Sequence, residues 1–504
     1  MDGEKTEPTP RGAWLAVTVL AGGLFAAVVS TTVVSVALPT IGRELHAGAT
    51  QLAWIVDAYV LVYASLLVAG GVIGDRRGRK GLFLIGVATF GLGALVTGLA
   101  PNTGVLLVGR VIQGLGPALL LPGSLTIIRA VFEDPEKRAS AIGLWSTSSG
   151  LALAVGPALG GVIVNGLGWR WVFLVNVPFS ALLAALAARL IPRVERNPAT
   201  SRFDWAGAVL GTLSMAAVAF GIIEGPDWGW ASPRILAAFA AGLVALALFI
   251  GWELRRPEPL VDVRLFLRPA FAVANIAAMI VFFAFVGAIV YFSAYFQNVQ
   301  GHSPIEAGLD VSAIGVAFAL AAPLSGRMVG RIGPFWPMFA GLAVSGAATL
   351  GLLRLGPNTG IGAIWWDFAL VGGGVGLSLT PMTTTAVASV AASRAGMASA
   401  VHNALRQLGQ VLGVAILGVL VYAQLPHGHG GGGRLAPEAG RHFVTGLHHA
   451  IWASGLILLA AAAMVALLAA RSRKPVADAP RPSGGPAPSA PARADAPATP
   501  VGER

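Results

Sequence analysis

The chain has 504 residues, of which 55% are hydrophobic and only 11% are charged, and its mean hydropathy is +0.74. A soluble domain carries roughly 25% charged residues, so this composition indicates a protein that is dissolved in lipid. The absence of cysteine excludes disulfides, thiolate metal ligands and a cysteine nucleophile. The net charge of +11 fits either nucleic-acid binding or a basic membrane face, and the positions of the charges decide between the two.

About fourteen apolar stretches follow one another along the chain, each roughly twenty residues long, which is the length that crosses the hydrocarbon core of a bilayer. The first stretch is too long for a signal peptide and has no small-residue cleavage site, so we expect it to remain as the first span. The stretches begin near Trp14, Leu52, Gly81, Val105, Ala139, Trp171, Ala206, Ile235, Phe271, Ile305, Phe335, Ile361, Ala398 and Gly446.

Basic side chains are concentrated in alternate loops of this predicted topology. An even number of spans puts both termini on the side of the basic loops, and membrane proteins keep such loops in the cytoplasm. We therefore predict a multi-pass protein of the bacterial plasma membrane with both termini cytoplasmic. This distribution accounts for the positive charge, so we expect no nucleic-acid partner. The loops on the opposite side carry only Arg43, Arg170, Arg234, Arg354, Arg434 and Arg441.

A loose internal repeat divides the chain into two similar halves. Residues 71–78 (GVIGDRRG), at the end of the second span, recur as residues 326–333 (GRMVGRIG) at the end of the tenth, an offset of 326 − 71 = 255. Membrane proteins built from two such halves bind their substrate between them, near the bilayer midplane. The predicted fold is therefore all-α and is divided into a cytoplasmic tail (1–12), a six-helix bundle (13–192), an inserted helix pair (193–256), a second six-helix bundle (257–470) and a disordered cytoplasmic tail (471–504).

The loop predicted before the last span, residues 424–446, is rich in histidine and glycine. Histidine clusters can bind metal ions. The glycine run over 430–433 leaves these side chains without fixed spacing, so the pattern favours a solvated loop over an adventitious metal site, and we assign no metal. The histidines are His427, His429 and His442, with His448 and His449 just beyond.

Residues 71–80 (GVIGDRRGRK) resemble the signature loop between the second and third helices of the major facilitator superfamily. An ordinary positive-inside loop explains the basic residues, but not the acid and the glycine spacing. The resemblance implies that this loop latches the cytoplasmic side of a transporter. The residues that carry this conformational role are Gly71, Gly74, Asp75, Arg76, Gly78 and Arg79.

Further segments resemble the fourteen-helix drug/proton antiporter family, from the first span to the last. They are residues 54–59 (WIVDAY), 110–114 (RVIQG), 156–161 (GPALGG), 169–178 (WRWVFLVNVP) and 406–409 (RQLG). The resemblance implies a major facilitator fold of 6 + 2 + 6 helices and efflux of drugs or antibiotics in exchange for protons. It identifies Gly156, Pro157, Gly160 and Gly161 as the antiporter motif. Proline and glycine there allow bending and sliding during export, although simple close packing of helices explains the same residues.

Ionisable residues inside membrane spans are costly and are therefore functional candidates. Asp57 and Arg110 each lie about two helical turns from the outer end of their span, so the two can face one another. The pair then either tunes the acid for proton uptake and release or forms a static buried ion pair. The first helix departs from the family pattern, because Ser30 stands where aspartate is usual and Ser35 where asparagine is usual. Either Asp57 alone carries the proton or the coupling is altered.

Three more acids lie closer to the outer ends of their helices. Asp310 and Asp367 are secondary candidates for proton coupling or for attracting cationic substrates, although both can reach water. We expect Glu224, where the seventh span emerges, to be solvated.

The ninth span carries an unusual number of aromatic residues. Phe282, Phe285, Phe292 and Phe296 follow one helical stripe, and Tyr291, Tyr295 and Asn298 follow another. These stripes either line a cavity for apolar aromatic ligands or pack against lipid and neighbouring helices. We assign to the substrate cavity Ser30, Tyr59, Gln113, Tyr291, Tyr295, Asn298, Asn403 and Arg406.

The expected function is secondary active export of small hydrophobic or amphiphilic compounds by proton antiport. An exporter of lipid or of a self-made metabolite fits the same pattern. No phosphate-binding loop for ATP and no cluster of acids and histidine in a sizeable loop occurs, so we expect no enzyme activity, no catalytic residue and no cofactor besides the proton gradient. The expected partners are a small-molecule substrate, membrane lipid and protons, and we expect a monomer.

Overall fold

The computed structural model describes residues 10–192, 204–257, 259–390, 395–425 and 434–472, and within these ranges it contains helices and no β-strand. The α-helices are Pro10–Leu45 (α1), Ala49–Arg77 (α2), Arg79–Gly98 (α3), Thr103–Val131 (α4), Pro135–Leu167 (α5), Arg170–Leu174 (α6), Asn176–Leu190 (α7), Trp205–Trp228 (α8), Pro233–Arg255 (α9), Pro269–Ala294 (α10), Pro304–Ile332 (α11), Phe335–Gly351 (α12), Ile361–Ala388 (α13), Ala395–Tyr422 (α14) and Pro437–Ser472 (α15).

The prediction of an all-α protein with about fourteen spans is confirmed, because the described residues contain 14 segments that are long and apolar enough to cross a membrane. Two short helices, α6 and α7, make up the sixth span, and α10 continues into a π-helix over Tyr295–Gln300 to complete the ninth. The last helix begins at Pro437 rather than near Gly446, because it extends as a helix beyond the apolar core. The predicted loop 424–446 is correspondingly shorter, and residues 426–433 lie outside the described ranges.

The helices form two bundles, with α1–α7 in the first bundle and α10–α15 in the second bundle. Two helix pairs join the bundles, since α5 packs along α11 and α2 packs along α14. The inserted pair lies to one side, where α8 contacts both α2 and α14 while α9 packs mainly on α8. The inserted pair therefore covers the seam between α2 and α14.

The turns after α2 and α11 each contain a glycine with positive φ, in agreement with the internal repeat. Gly78 joins α2 to α3 with φ +103°, and Gly333 joins α11 to α12 with φ +78°. These values lie in the left-handed region, where a side chain costs roughly 1–2 kcal/mol. The two positions differ by 333 − 78 = 255, which is the offset found in the sequence.

Buried apolar clusters cross between the bundles on one side of the molecule. We call the side where α1 begins and α15 ends the terminal face, and the other side the opposite face. Towards the opposite face, one cluster combines Val33 and Ile55 of the first bundle with Phe285 and Val311 of the second. Gln297 Nε2 also donates across this interface to the Val36 carbonyl oxygen at 3.0 Å.

At the terminal face the described apolar clusters each belong to a single bundle. One contains Val17, Phe83 and Ile128 of the first bundle. The other contains Phe271 and Ala398 of the second bundle. Among the described residues, buried apolar clusters therefore join the bundles towards the opposite face and in the middle of the molecule, where Tyr59 and Val411 share a cluster, but not at the terminal face.

Candidate functional site

Arg110 of α4 is the centre of a polar network inside the first bundle, and its side chain is completely buried. Its Nε donates to the Ile55 carbonyl oxygen at 2.8 Å. Its Nη1 donates to Gln113 Oε1 at 2.8 Å and to Ser30 Oγ at 3.3 Å. The guanidinium carbon lies 4.3 Å from the centroid of the Tyr59 ring. Neutral oxygens and a ring face thus stabilise this buried cation.

Ser30 of α1 stands at the position where the drug/proton antiporter family that the sequence resembles usually has an aspartate. Its Oγ accepts hydrogen bonds from Arg110 and, at 3.1 Å, from Gln113 Nε2. A hydroxyl supplies an acceptor without a negative charge. The Nη2 atom of Arg110 has no hydrogen-bond partner within the described ranges. The guanidinium is therefore fixed in place but is not neutralised.

Asp57 of α2 is completely buried, and neither carboxylate oxygen has a hydrogen-bond partner among the described residues. The expected approach of Asp57 to Arg110 is not found, because Arg110 contacts the face of α2 that carries Ile55 and Tyr59. Asp57 lies two residues beyond Ile55, which is roughly 200° around the helix axis. It is instead within electrostatic range of Tyr291 in α10, so it belongs to the interface between the bundles.

Arg406 of α14 is the corresponding cation in the second bundle. Its Nη1 donates to Asn403 Oδ1 at 3.2 Å, and its guanidinium carbon lies 4.2 Å from the centroid of the Phe282 ring. The buried Nε has no hydrogen-bond partner in the part of the chain that the structure describes. Tyr63 of α2 lies within electrostatic range. The two predicted cavity residues Asn403 and Arg406 are thus neighbours, and Arg406 lies within electrostatic range of the first bundle.

The polar stripe of the ninth span is held by backbone groups of its own bundle. Tyr291 donates its hydroxyl hydrogen to the Val414 carbonyl oxygen, and Tyr295 donates to the Gly356 carbonyl oxygen at 2.7 Å. The main-chain carbonyl oxygen of Asn298 accepts from Leu435 N at 2.7 Å, so this bond fixes the backbone of Asn298 and not its side chain. Of these predicted cavity residues, Tyr291 lies within electrostatic range of Asp57, and Tyr291 and Asn298 both line one small cavity between the bundles.

The phenylalanine stripe of the ninth span packs against neighbouring helices, which is one of the two expected arrangements. The Phe285 ring lies 5.8 Å from Phe318 of α11 in a tilted arrangement, and Phe292 lies 4.8 Å from Phe368 of α13, measured between ring centroids. All the rings of this stripe are buried. The stripe therefore forms the core of the second bundle in this conformation.

The acids near the opposite face have polar partners. Asp310 accepts from His302 Nδ1 at 2.8 Å, and Asp367 forms an ion pair with Arg354. Glu224 was expected to be solvated, but it is half-buried because Trp54 Nε1 donates to its Oε1 at 2.8 Å. These three acids are therefore held in place, unlike Asp57.

Among the described residues, two small cavities lie beside Tyr291. One has a volume of about 30 Å³ and lies inside the second bundle, where Tyr291, Phe292 and Phe368 are among the residues that line it. The other, of about 20 Å³, lies between the bundles and is lined by Ala53 and Tyr291 among others. Such volumes hold a water molecule or two, whereas drug-sized ligands need pockets of roughly 300–1,000 Å³. Among the described residues no group of three or more histidines and acids could hold a metal ion, and His427 and His429 lie outside those ranges.

The loop between α2 and α3 surrounds the left-handed Gly78. Gly71 packs against Pro122 of α4, and Gly74 packs against Leu82 of α3. Arg79 begins α3. Asp75 and Arg76 belong to the last turn of α2, but their side chains lie outside what the structure describes.

The predicted antiporter motif lies in α5 between the two bundles. A Cβ atom on Gly160 would lie 2.8 Å from the Val33 carbonyl oxygen of α1. One on Gly161 would lie 2.5 Å from the Pro304 carbonyl oxygen of α11. On the other side of the contact, a Cβ on Gly308 of α11 would lie 2.4 Å from the Pro157 carbonyl oxygen. A side chain at Gly156 would likewise collide with α1, at Thr32. The motif therefore sets how closely α5 approaches a helix of each bundle.

The predicted site did not include His402, a buried ionisable group inside a membrane span. His402 of α14 is completely buried and hydrogen-bonds through both ring nitrogens. The sequence could have pointed to it, because an ionisable residue inside a membrane span is a functional candidate.

Comparison with known proteins places this architecture among transporters. A family model described as Major Facilitator Superfamily matches residues 20–414. The Multidrug resistance protein Stp of Mycobacterium tuberculosis is 37% identical over 405 residues, which cover 80% of this chain and 75% of that protein. The Tetracenomycin C resistance and export protein of Streptomyces glaucescens is 34% identical over 414 residues, covering 82% and 76%.

A similar solved structure is that of a bacterial homologue of the human lysosomal transporter Spinster in an inward-facing and unoccupied conformation. Its TM-score is 0.66 at 19% sequence identity, and the alignment covers 92% of this chain and 98% of that one. At this level of identity the likeness concerns the fold.

Proposed function

The chain belongs to the Major Facilitator Superfamily, and we propose that it exports small hydrophobic or amphiphilic compounds across the bacterial plasma membrane in exchange for protons. Relatives named for multidrug resistance and for antibiotic export support the substrate class. The observation that carries the proton coupling is Asp57, a completely buried carboxyl group between the bundles with no hydrogen-bond partner in the described ranges.

An ionised carboxylate in such surroundings is costly, and binding a proton removes the charge. Arg110 does not compensate this charge, since its hydrogen bonds go to neutral oxygens. The charged form of Asp57 therefore favours a conformation that admits water or a cation, whereas the protonated form tolerates the closed apolar interface. Protonation thus shifts the equilibrium between two arrangements of the bundles.

The terminal face carries the basic loops and is proposed to be cytoplasmic. On that assignment the described conformation is inward-facing, because buried apolar clusters join the bundles towards the opposite face and none of those among the described residues joins them at the terminal face. Amphiphilic compounds would enter from the cytoplasm or the inner leaflet and leave after the bundles rock about α5 and α11. Each proton that enters down a membrane potential of 100 mV provides about 2.3 kcal/mol.

The test is Asp57→Asn, which mimics only the protonated carboxyl. We expect this variant to exchange substrate between two sides of a vesicle while losing uphill accumulation driven by a pH gradient. Both activities are measured in inverted vesicles with ethidium, Hoechst 33342 or tetracenomycin C. The compound is added outside to measure accumulation and is present on both sides to measure exchange. Glu44→Gln serves as the control, because that acid is exposed, pairs with Arg170 at the opposite face and is not a candidate for proton coupling. Accumulation by Asp57→Asn at the parent rate would exclude Asp57 from the coupling.

A further inference from the structure

His402 links three helices of the second bundle at a point that the proposed mechanism does not use. Its Nδ1 lies 3.1 Å from Asn275 Oδ1 of α10, and its Nε2 lies 3.1 Å from Thr383 Oγ1 of α13. The imidazole is completely buried. Both ring nitrogens therefore depend on protein groups for their hydrogen bonds.

The amide of Asn275 fixes the direction of one of these bonds. Its Nδ2 donates to the Phe271 carbonyl oxygen at 2.8 Å, so its Oδ1 faces His402 as an acceptor. The Nδ1 atom of His402 must then carry a hydrogen. A neutral imidazole carries only one hydrogen on nitrogen, so Nε2 of neutral His402 is an acceptor that needs a hydrogen from Thr383.

The hydroxyl of Thr383 has a second acceptor in reach. It lies 3.1 Å from the Leu379 carbonyl oxygen and has a single hydrogen, so it cannot donate fully to both Leu379 and neutral His402. A proton bound at the Nε2 lone pair removes this competition. His402 then donates to Thr383 Oγ1, and the hydroxyl donates to Leu379.

The backbone of α13 is already interrupted at this point. Pro381 has no N–H, which frees the Leu377 carbonyl oxygen, and Ser325 Oγ of α11 donates to that oxygen at 2.5 Å. The next hydroxyl contact along α13 is that of Thr383 with Leu379. Because α11 packs on α5 of the first bundle, a change at this kink acts on a helix of the bundle interface.

From this geometry we propose that His402 is a proton-binding site of the second bundle, which takes up a proton at Nε2 and redirects the Thr383 hydroxyl at the Pro381 kink. The inference rests on the proposed function, to which it adds a second proton site beside Asp57. A proton enters on Nε2 and leaves by the reverse step, and no other bond is made or broken.

The charged surroundings of His402 come mainly from its own helix. Arg406, one turn further along α14, is within electrostatic range, so a proton on His402 is favoured when Arg406 turns away or binds an anion. On α10 the ionisable residue is Tyr291, towards the opposite face, and Arg268 caps the start of that helix. On α13 it is Asp367, which lies about 24 Å along the helix from Thr383 and is paired with Arg354.

Solid-state NMR of the 15N-histidine-labelled protein in lipid vesicles tests the proton site without any substrate. The chain has 8 histidines, and His402→Gln identifies the signal that belongs to His402. We expect this signal to come from a neutral ring with hydrogen on Nδ1 at pH 8.5 and to shift towards that of an imidazolium as the pH is lowered to 5. Arg406→Gln should move the change to higher pH. A ring that stays neutral over this range in both proteins would overturn the proposal.

Thr383→Val tests whether the Thr383 hydroxyl binds protonated His402 or whether the side chain only packs against it. A hydrogen bond from a charged donor is roughly twice as strong as a neutral one, so loss of Oγ1 should weaken proton binding at His402 by about tenfold. Thr384→Val is the matched control, because its hydroxyl bonds to the Pro381 carbonyl oxygen instead. Equal titration of His402 in the two variants would contradict the assigned hydrogen bonds.

Transport measurements distinguish failure of this inference from failure of the proposed function. We expect His402→Gln to retain exchange of ethidium, Hoechst 33342 or tetracenomycin C and to take up fewer protons per molecule exported. If the parent itself shows no accumulation driven by a pH gradient, the proposed function fails. If the parent does and His402→Gln keeps the same proton uptake per molecule, only the role of His402 fails.

Discussion

Gly161 provides a direct test of the α5–α11 contact that closes the opposite face. In Gly161→Ala the new Cβ would lie 2.5 Å from the Pro304 carbonyl oxygen and 2.7 Å from Ile305 Cα, whereas ordinary contact begins at 3.4 Å. The two backbones must therefore separate by about 1 Å. Overpacking of this kind costs about 1–3 kcal/mol, which changes an equilibrium between two conformations about 5- to 150-fold. The strain exists only where this contact is closed, so we expect the variant to favour the conformation that is open at the opposite face.

Spin labels measure this shift as a change in distance between bundles, and the absence of native cysteine makes the labelling specific. Gly166→Cys of α5 and Gly362→Cys of α13 report on the opposite face. Gly81→Cys of α3 and Gly330→Cys of α11 report on the terminal face. At all four sites a Cβ has no neighbour within 4 Å, so the labels should not disturb packing.

Gly161→Ala should lengthen the distance at the opposite face and shorten the one at the terminal face, as measured by double electron–electron resonance. Gly166→Ala, in the same helix, is the control for replacing a glycine with alanine, because a Cβ there meets nothing within 4 Å. This control is measured with the terminal-face labels, since position 166 itself carries a label in the opposite-face pair. Identical terminal-face distance distributions in the parent, Gly161→Ala and Gly166→Ala would refute the assignment of the α5–α11 contact as the closed gate.

Two further predictions concern the missing first-helix acid and the orientation. Ser30→Asp should place a carboxylate beside Arg110, whose Nη1 lies 3.3 Å from Ser30 Oγ. We expect this variant to exchange one additional proton per molecule exported, as measured with a pH dye in vesicles. An unchanged ratio of protons to substrate would show that position 30 does not take part in the coupling. For the orientation, Gly362→Cys should react with an impermeant thiol reagent in intact cells and Gly81→Cys should not. The reverse pattern of labelling would invert the proposed topology.

The number of spans followed directly from the sequence, because the thickness of the hydrocarbon core fixes the length of an apolar run. The helix ends were less predictable. The last helix starts at Pro437 instead of near Gly446, since polar residues such as Arg441 and His442 extend a helix beyond the lipid without contributing to an apolar run. Apolar length therefore predicts the buried part of a helix and underestimates its full extent.

The neighbours of the charged residues could not be predicted in the same way. Counting residues gives depth along a helix, and Asp57 and Arg110 do lie on adjacent helices, α2 and α4. Their mutual orientation depends on how each helix is rotated, which packing determines. Arg110 contacts the side of α2 that carries Ile55 and Tyr59, and Asp57 projects elsewhere. Similarly, the hydrogen bond from Trp54 to Glu224 joins residues that are 170 positions apart in the sequence. It depends on where the inserted helix pair packs.

The replacement of the usual acid by Ser30 has a consequence for the mechanism proposed here. An acid in α1 beside Arg110 would form its ion pair within the first bundle, so its protonation would act first on helices that move together. In this chain Arg110 is fixed by the neutral groups of Ser30 and Gln113, and its environment does not depend on a titrating partner. Asp57, whose carboxylate oxygens have no hydrogen-bond partner among the described residues, lies between the bundles within range of Tyr291. On the proposed mechanism the proton therefore acts at the surface that opens and closes, and coupling requires no relay from the interior of the first bundle.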